Sequence, residues 1–94
     1  MTCKELKFSD HAITQMFTRS ISVDQAKWVL EHGEIIASYP ADWPYPSYLI
    51  LGIVNNRPIH IVVGRDEKLE RCVLVTAYEP DPHIWEPGFK SKKK

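Results

Sequence analysis

The stretch Val73-Leu-Val-Thr-Ala-Tyr-Glu-Pro-Asp-Pro-His-Ile-Trp85 decides the fold and gives the first indication of a site. It begins with apolar and β-branched residues, which favour a strand, and two prolines end that strand. Because alternate residues of a strand point to the same face, Thr76 and Tyr78 present two hydroxyls on one face. The other face is predicted to carry the apolar residues Val73, Val75 and Ala77. Packing in a core explains the apolar face, whereas the hydroxyl face is predicted to be a binding or reactive surface.

Two helices are predicted upstream of this strand. Ser9 is suited to cap a helix over residues 9–18, and Ser22 to cap a second helix over residues 23–32, which Gly33 ends. Apolar residues recur at helical spacing in both segments. They are Ala12, Ile13, Met16 and Phe17 in the first helix, and Val23, Ala26, Val29 and Leu30 in the second, with Trp28 at the margin.

After Gly33 the apolar period changes from 3.6 residues to 2, which indicates strands. They are predicted over residues 34–39, 48–54, 58–64 and 71–79, with a turn at Asn55-Asn56-Arg57 between the second and third. Two helices followed by an antiparallel meander predict an α+β domain, with the helices packed on one face of a four-stranded antiparallel sheet. Residues 4–8 leave open a short extra N-terminal strand. A site is expected on the sheet face that the helices do not cover.

Length and composition favour one soluble domain. Ninety-four residues are enough for a single core, here residues 1–90, followed by a basic tail at residues 91–94. The formal net charge of zero argues against a protein built only to hold nucleic acid. With no long apolar run and no signal-peptide pattern, the cytoplasm is the expected location. Cys3 and Cys72 show neither a disulfide framework nor a zinc-ligand spacing, so Cys72 is expected to be a small core residue.

Several polar residues could share the open face of the sheet. His60 alternates with Ile59 and Ile61, so it faces away from their side. His11 lies in the first turn of the first helix, and Arg19 lies at the end of that helix. Together with Thr76 and Tyr78, these are the groups that metal-free RNA cleavage needs: a base, an acid and a cation near the phosphate. No metal-binding, phosphate-loop or G-x-S-x-G motif occurs, and neither a metal nor a cofactor is expected.

Each of these features also has an ordinary structural explanation. A histidine within a strand is often simply hydrogen-bonded, and four lysines among the last five residues can form a solubilising tail as well as an arm that attracts phosphate. Four aromatic residues in or beside the loops allow three interpretations: base stacking on RNA, anchors for a partner protein, or a small hydrophobic cluster. They are Trp43, Tyr45, Tyr48 and Trp85.

The order of these motifs resembles a bacterial and archaeal family of small domains of unknown function. The residues that carry the resemblance span most of the chain, and its two ends are the most specific part. They are Phe8-Ser-Asp-His-Ala12, Arg19-Ser-Ile-Ser22, Gly33-Glu-Ile-Ile36, Ile59-His60 and Thr76-Ala-Tyr-Glu-Pro-Asp-Pro82 with Trp85. Members of this family look like distant relatives of the RelE, barnase, EndoU and colicin RNase fold, and are often encoded next to a small zinc-finger and helix-turn-helix antitoxin.

The resemblance implies the toxin of a type II toxin–antitoxin pair, acting as a metal-independent endoribonuclease. It implies catalytic roles for His11, Arg19, His60, Thr76 and Tyr78, and we expect RNA contacts from Lys90, Lys92, Lys93, Trp43 and Tyr45. The expected partners are RNA and the antitoxin protein, with no membrane, and a homodimer is left open. The sequence departs from the family pattern at Ser20, where a glycine is usual, and in its lysine-rich rather than arginine-rich tail. The alternative function is a non-catalytic domain that binds a partner protein through its aromatic and proline-rich loop.

Overall fold

A computed structural model describes all 94 residues as two helices packed on a five-stranded sheet. The elements are β1 (Glu5–Phe8), α1 (Asp10–Thr18), α2 (Val23–His32), β2 (Glu34–Tyr39), β3 (Ser47–Val54), β4 (Arg57–Asp66) and β5 (Arg71–Tyr78). The strand order is β1-β5-β4-β3-β2. Strands β2 to β5 form the predicted antiparallel meander, but β1 joins its edge parallel to β5, so the sheet is mixed. The prediction of four antiparallel strands was therefore correct only for β2 to β5.

Both helices begin at the predicted caps. The Ser9 hydroxyl accepts a hydrogen bond from the Ala12 N–H at 3.0 Å, and Ser22 forms a reciprocal capping box with Gln25. At the end of α1, Ser20 adopts a φ of 55°, and the N–H groups of Ser20 and Ile21 bond to carbonyls of the last turn. This is a Schellman ending, whose left-handed position favours glycine. No helix of the chain is long and apolar enough to cross a membrane.

The core lies between the helices and one face of the sheet, which we call the helix side. Its members are Ala12, Met16, Ile21, Ala26, Val29, Leu30, Ile50, Ile59, Ile61, Val63, Cys72, Leu74 and Ala77. The predicted apolar face of α1 was too wide, because Ile13 is 48% exposed and Phe17 is 88% exposed. The nine-residue helix α1 packs mainly against β5, so only a narrow stripe of its surface is covered. In α2, Val23 is likewise partly exposed.

A β-bulge changes which residues of β5 share a face. Thr76 pairs with Val62 and Leu74 pairs with Val63, so Val75 is an extra residue with no partner of its own. Beyond the bulge, Val73 pairs with Gly64 and lies on the same face as Thr76. The prediction that Val73 and Val75 point away from the hydroxyls was therefore wrong. It assumed strict alternation of side chains between the two faces, which an inserted residue interrupts. We call the face that carries His60, Thr76 and Tyr78 the open face.

The two cysteines form a disulfide, which corrects the expectation drawn from their spacing. Cys3 and Cys72 are 69 residues apart in sequence, and their Cα atoms lie 5.7 Å apart. The parallel pairing of β1 with β5 brings them together, since Leu6 pairs with Cys72 in the register. The Cys72 side chain is buried at the core as predicted, but it is bonded to the N-terminal segment. Sequence spacing could not indicate this, because the contact depends on the parallel edge strand.

Candidate functional site

A hydrogen-bonded histidine and tyrosine lie at the centre of the open face. His60 of β4 and Tyr78 of β5 are directly opposed in the sheet, and Nδ1 of His60 lies 3.2 Å from the Tyr78 hydroxyl. The other ring nitrogen, Nε2, lies 2.8 Å from the carbonyl oxygen of Phe89. A carbonyl can only accept, so Nε2 carries the proton, and in a neutral imidazole Nδ1 then accepts from the tyrosine. The tautomer of His60 follows from its two partners.

The C-terminal segment, residues 79–94, closes over this pair. The Trp85 ring packs edge-on against the His60 ring with centroids 4.5 Å apart, and His60 is completely buried. A bridge between Trp85 and Lys92 folds the segment back on itself, and the Lys90 ammonium pairs with Glu34 at 3.0 Å. The predicted basic tail therefore lies against the domain, with Lys92 above the Trp85 ring.

Burial shifts both titratable groups toward their neutral forms. Loss of hydration lowers the pKa of His60 below its ordinary 6.5, and the hydrogen bond to the Phe89 carbonyl opposes this only in part. Burial also raises the pKa of Tyr78 above 10.0, with a smaller contribution from nearby Tyr39. At neutral pH the pair is an uncharged imidazole and an uncharged phenol. His60 is fully buried whereas Tyr78 is half-buried, so Tyr78 is the member of the pair with surface that a bound molecule can contact.

The other predicted catalytic residues are placed at different distances from this pair. Thr76 is half-buried on the open face, one alternating position along β5 from Tyr78. Arg19 is exposed and lines a cleft of about 520 Å³ beside Phe89, together with Pro58, Glu79, Pro80, Asp81 and Pro82. His11 is exposed in the first turn of α1, the helix that packs on the helix side of the sheet. The structure thus brings together His60, Tyr78 and Thr76, sets Arg19 at their margin, and leaves His11 outside the cluster.

Arg57, which the sequence did not single out, holds the Arg19 cleft in place. Its guanidinium donates to the backbone carbonyls of Arg19 and Ser20, and its Nε lies 3.3 Å from a carboxylate oxygen of Glu79. These contacts join the end of α1 to the end of β5. Phe89 was also missed, and its role is that of a backbone carbonyl, for which the sequence carries no signal. Arg57 lies in the predicted turn, where a solvated arginine is unremarkable.

The four aromatic residues considered as one surface lie in three different places. Trp43 is 91% exposed and lines a cleft on the open face with half-buried Tyr45. Tyr48 lies on the helix side, where its hydroxyl donates to Glu67 at 2.7 Å, and Trp85 is buried against His60. Only Trp43 and Tyr45 are therefore positioned to contact a partner together. No group of three or more His, Cys, Asp or Glu side chains lies close enough to hold a metal ion.

Comparison with known proteins places the chain in a family without assigning an activity. The family model described as Domain of unknown function (DUF4258) matches residues 8–79, from the end of β1 to the residue after Tyr78. The match thus includes His60 and Tyr78 but excludes Phe89 and the rest of the covering segment after residue 79. No curated protein and no solved structure gives a significant match. The chain belongs to the family described as Domain of unknown function (DUF4258).

Proposed function

We propose that this protein is a metal-independent endoribonuclease that acts in the cytoplasm as the toxin of a type II toxin–antitoxin pair. The observation that carries the proposal is the hydrogen bond between His60 and Tyr78 on the open face, beside a cleft that contains Arg19. This pairing couples a proton acceptor to a hydroxyl within reach of a substrate. The motif resemblance to the RelE, barnase, EndoU and colicin RNase fold supports the same proposal.

The reaction that fits these groups is attack by the 2′-hydroxyl of RNA on the adjacent phosphorus. As the 2′-oxygen bonds to phosphorus, its proton passes to the Tyr78 oxygen while the Tyr78 proton passes to Nδ1 of His60. The bond from phosphorus to the 5′-oxygen breaks, and that oxygen takes a proton from solvent, because His11 lies outside the cluster on the helix side of the sheet. The Arg19 guanidinium stabilises the negative charge on the phosphate oxygens. The products are a 2′,3′-cyclic phosphate and a 5′-hydroxyl end.

The burial of His60 changes the role that its position in the sequence indicated. Both ring nitrogens already have partners, and Trp85 covers the ring, so RNA contacts Tyr78 rather than the imidazole. His60 is then a positioning residue that orients the tyrosine and accepts its proton. Because a charged imidazole is disfavoured at this buried site, proton transfer to His60 is transient and is reversed in each turnover.

RNA cleavage by purified protein tests the proposal. We expect activity that persists in EDTA and falls by about 10²-fold or more in Tyr78→Phe, the scale of one proton-transfer group. Tyr48→Phe is the matched control, because it removes a hydroxyl that bonds Glu67 on the helix side of the sheet. Products that carry 5′-phosphate ends, or equal rates for Tyr78→Phe and wild type, contradict the mechanism.

Growth of bacteria that express the protein without its antitoxin tests the biological role. Wild type is expected to slow growth, whereas Tyr78→Phe at a matched soluble level does not. Co-expression of the neighbouring small DNA-binding protein, where one is encoded, is expected to restore growth and to co-purify with the toxin. Equal growth of cells that express wild type and Tyr78→Phe argues against a toxin that uses this site.

A second candidate function is a non-catalytic domain that binds a partner protein. The observation in its favour is the exposure of Trp43, 91%, on a loop that also carries Pro44 and Pro46. An exposed tryptophan beside an apolar cleft is a typical interface anchor. This candidate predicts that Trp43→Ala abolishes capture of a defined partner while Tyr78→Phe does not affect it. RNA cleavage that depends on Tyr78 favours the first candidate.

A further inference from the structure

A glycine in the middle of the sheet has no explanation in the packing of the domain. Gly64 lies within β4, and a Cβ atom added there meets no heavy atom within 4 Å. At Gly33 and Gly52 an added Cβ approaches other atoms to 2.5 Å and 2.6 Å, so packing accounts for both. Glycine weakens a strand interior, and where packing does not demand it, it often marks close approach of a ligand or another backbone.

The bare backbone of Gly64 forms part of the floor of the open-face cleft. Gly64 pairs with Ser47 on one side and Val73 on the other, and all three line the cleft, whose volume is about 250 Å³. The remaining lining residues are Asp42, Trp43, Pro44, Tyr45, Val62 and Val75. The cleft is therefore mostly apolar, with a highly exposed indole at its rim.

One polar pair interrupts this apolar lining. The hydroxyl of buried Ser47 donates to Oδ2 of Asp42, which orients the carboxylate at the cleft. An ionised carboxylate only accepts hydrogen bonds and has about four lone-pair sites, so it keeps the capacity to accept from a ligand. The cleft thus combines a flat floor, an aromatic wall and an acceptor at its edge, which suits a planar ring that carries N–H donors.

From this arrangement we infer that the cleft binds one unpaired RNA base that carries an exocyclic amine, with Trp43 stacked on the ring and Asp42 accepting from the amine. This inference rests on the proposed function and names the base-recognition site of the same enzyme. Aromatic stacking and hydrogen bonds to the base edge are the usual means of reading single-stranded RNA. Uracil is disfavoured, because it presents a carbonyl where cytosine and adenine present an amine.

The register of the sheet places this cleft next to the proposed reaction site. Gly64, Val62 and His60 alternate along β4 on the open face, with successive members about 7 Å apart. The cleft therefore begins one alternating position from the His60–Tyr78 row, a distance that one or two nucleotides of an extended strand can span. A base held at Gly64 fixes which phosphate lies at Tyr78.

Binding of 2′-deoxy oligonucleotides, which cannot be cleaved by 2′-hydroxyl attack, tests the inference without relying on activity. A fluorescently labelled oligouridylate analogue carries one adenine, cytosine, guanine, inosine or uracil, and its affinity is measured by anisotropy. Each amine-bearing base is expected to bind about 5- to 100-fold more tightly than uracil, and guanine more tightly than inosine, which lacks the amine. Asp42→Asn is expected to remove most of this preference.

Gly64→Val is the variant designed to fill the cleft. Its side chain projects into open space, so the fold is retained and the oligonucleotide affinity falls by about 10-fold or more. Gly64→Ala is expected to give a smaller loss. Ser38→Val, which places the same branched side chain on β2 opposite Tyr48 and outside the cleft, is the control. Melting temperatures measured by circular dichroism show that each variant is folded.

Four outcomes separate this inference from the proposed function. Amine-selective binding that Gly64→Val abolishes, without RNA cleavage, supports the cleft and contradicts the enzyme. RNA cleavage that neither Gly64→Val nor Asp42→Asn alters supports the enzyme and overturns the cleft. Equal affinity for all five bases also overturns it. The inference is likewise overturned if the cleft binds a proline-rich peptide and not the oligonucleotides, and if Gly64→Val abolishes that peptide binding.

Discussion

Reduction of the bond between Cys3 and Cys72 is expected to cost this domain a large part of its stability. The bond closes a loop of about 70 residues, and removal of such a cross-link from the unfolded chain corresponds to about 4 kcal/mol at 25 °C on the chain-entropy account. A domain of this size has a total stability of roughly 5–15 kcal/mol. Reduction therefore removes between about a quarter and four fifths of that stability. The short strand β1, attached to β5 over four residue pairs, is the first element expected to separate.

Urea denaturation followed by tryptophan fluorescence, with and without a phosphine reductant, measures this effect. For an m-value of about 1.5–2 kcal/mol/M, the midpoint is expected to fall by roughly 2–3 M. Cys3→Ala supplies the control, because it lacks the bond. Its denaturation midpoint should equal that of reduced wild type and should not change when the reductant is added. A shift below about 0.5 M, or two free thiols in protein purified without reductant, refutes the reasoning. In the reducing cytoplasm proposed for the toxin, the reduced and less stable form is the one expected.

Four further predictions concern other parts of the molecule. The pKa of His60 is lower in the folded protein than in the unfolded chain, so the unfolded chain binds a proton more readily. Wild type should therefore lose stability as the pH falls below about 6.5, and the loss should stop once the pH is below the folded-state pKa. The glutamine of His60→Gln does not titrate in this range, so the difference in unfolding free energy between wild type and this variant isolates the loss. Parallel stability-against-pH curves for the two proteins would contradict it. Ser20→Gly relieves a left-handed backbone and should stabilise the fold by roughly 0.5–1 kcal/mol in the same assay; destabilisation would show that the side chain matters. Ser22→Ala removes the capping box of α2 and should lower the free energy of unfolding by about 1 kcal/mol. An unchanged denaturation midpoint would contradict this. Gly33→Ala should cost about 1–3 kcal/mol because its methyl group meets the backbone oxygens of Val29 and Leu51 as well as Ile50, and an unchanged melting temperature would contradict that packing.

Much of the fold was predictable because it depends on local signals. The serine caps, the helical spacing of Ala26, Val29 and Leu30, and the change of period after Gly33 each act over a few residues. The prediction that His60, Thr76 and Tyr78 share a face was also confirmed, because strand alternation and antiparallel pairing are sufficient to determine it. The predicted involvement of His11 required a distance between helix and sheet, which no local pattern provides.

The sequence by itself determined most of the helices and strands, since the period of a strand or helix is a property of consecutive residues. Combined with antiparallel pairing, the same period predicted that His60, Thr76 and Tyr78 share the open face. Only the tertiary structure decided that Phe89 and Trp85 enclose His60, that Cys3 meets Cys72, and that Gly64 lies bare in a cleft. Each of these depends on segments far apart in the chain, and their positions follow from strand order, a one-residue bulge and the return of the C-terminal segment. Contacts of that kind arise from the packing of the whole chain, so no window of sequence contains them.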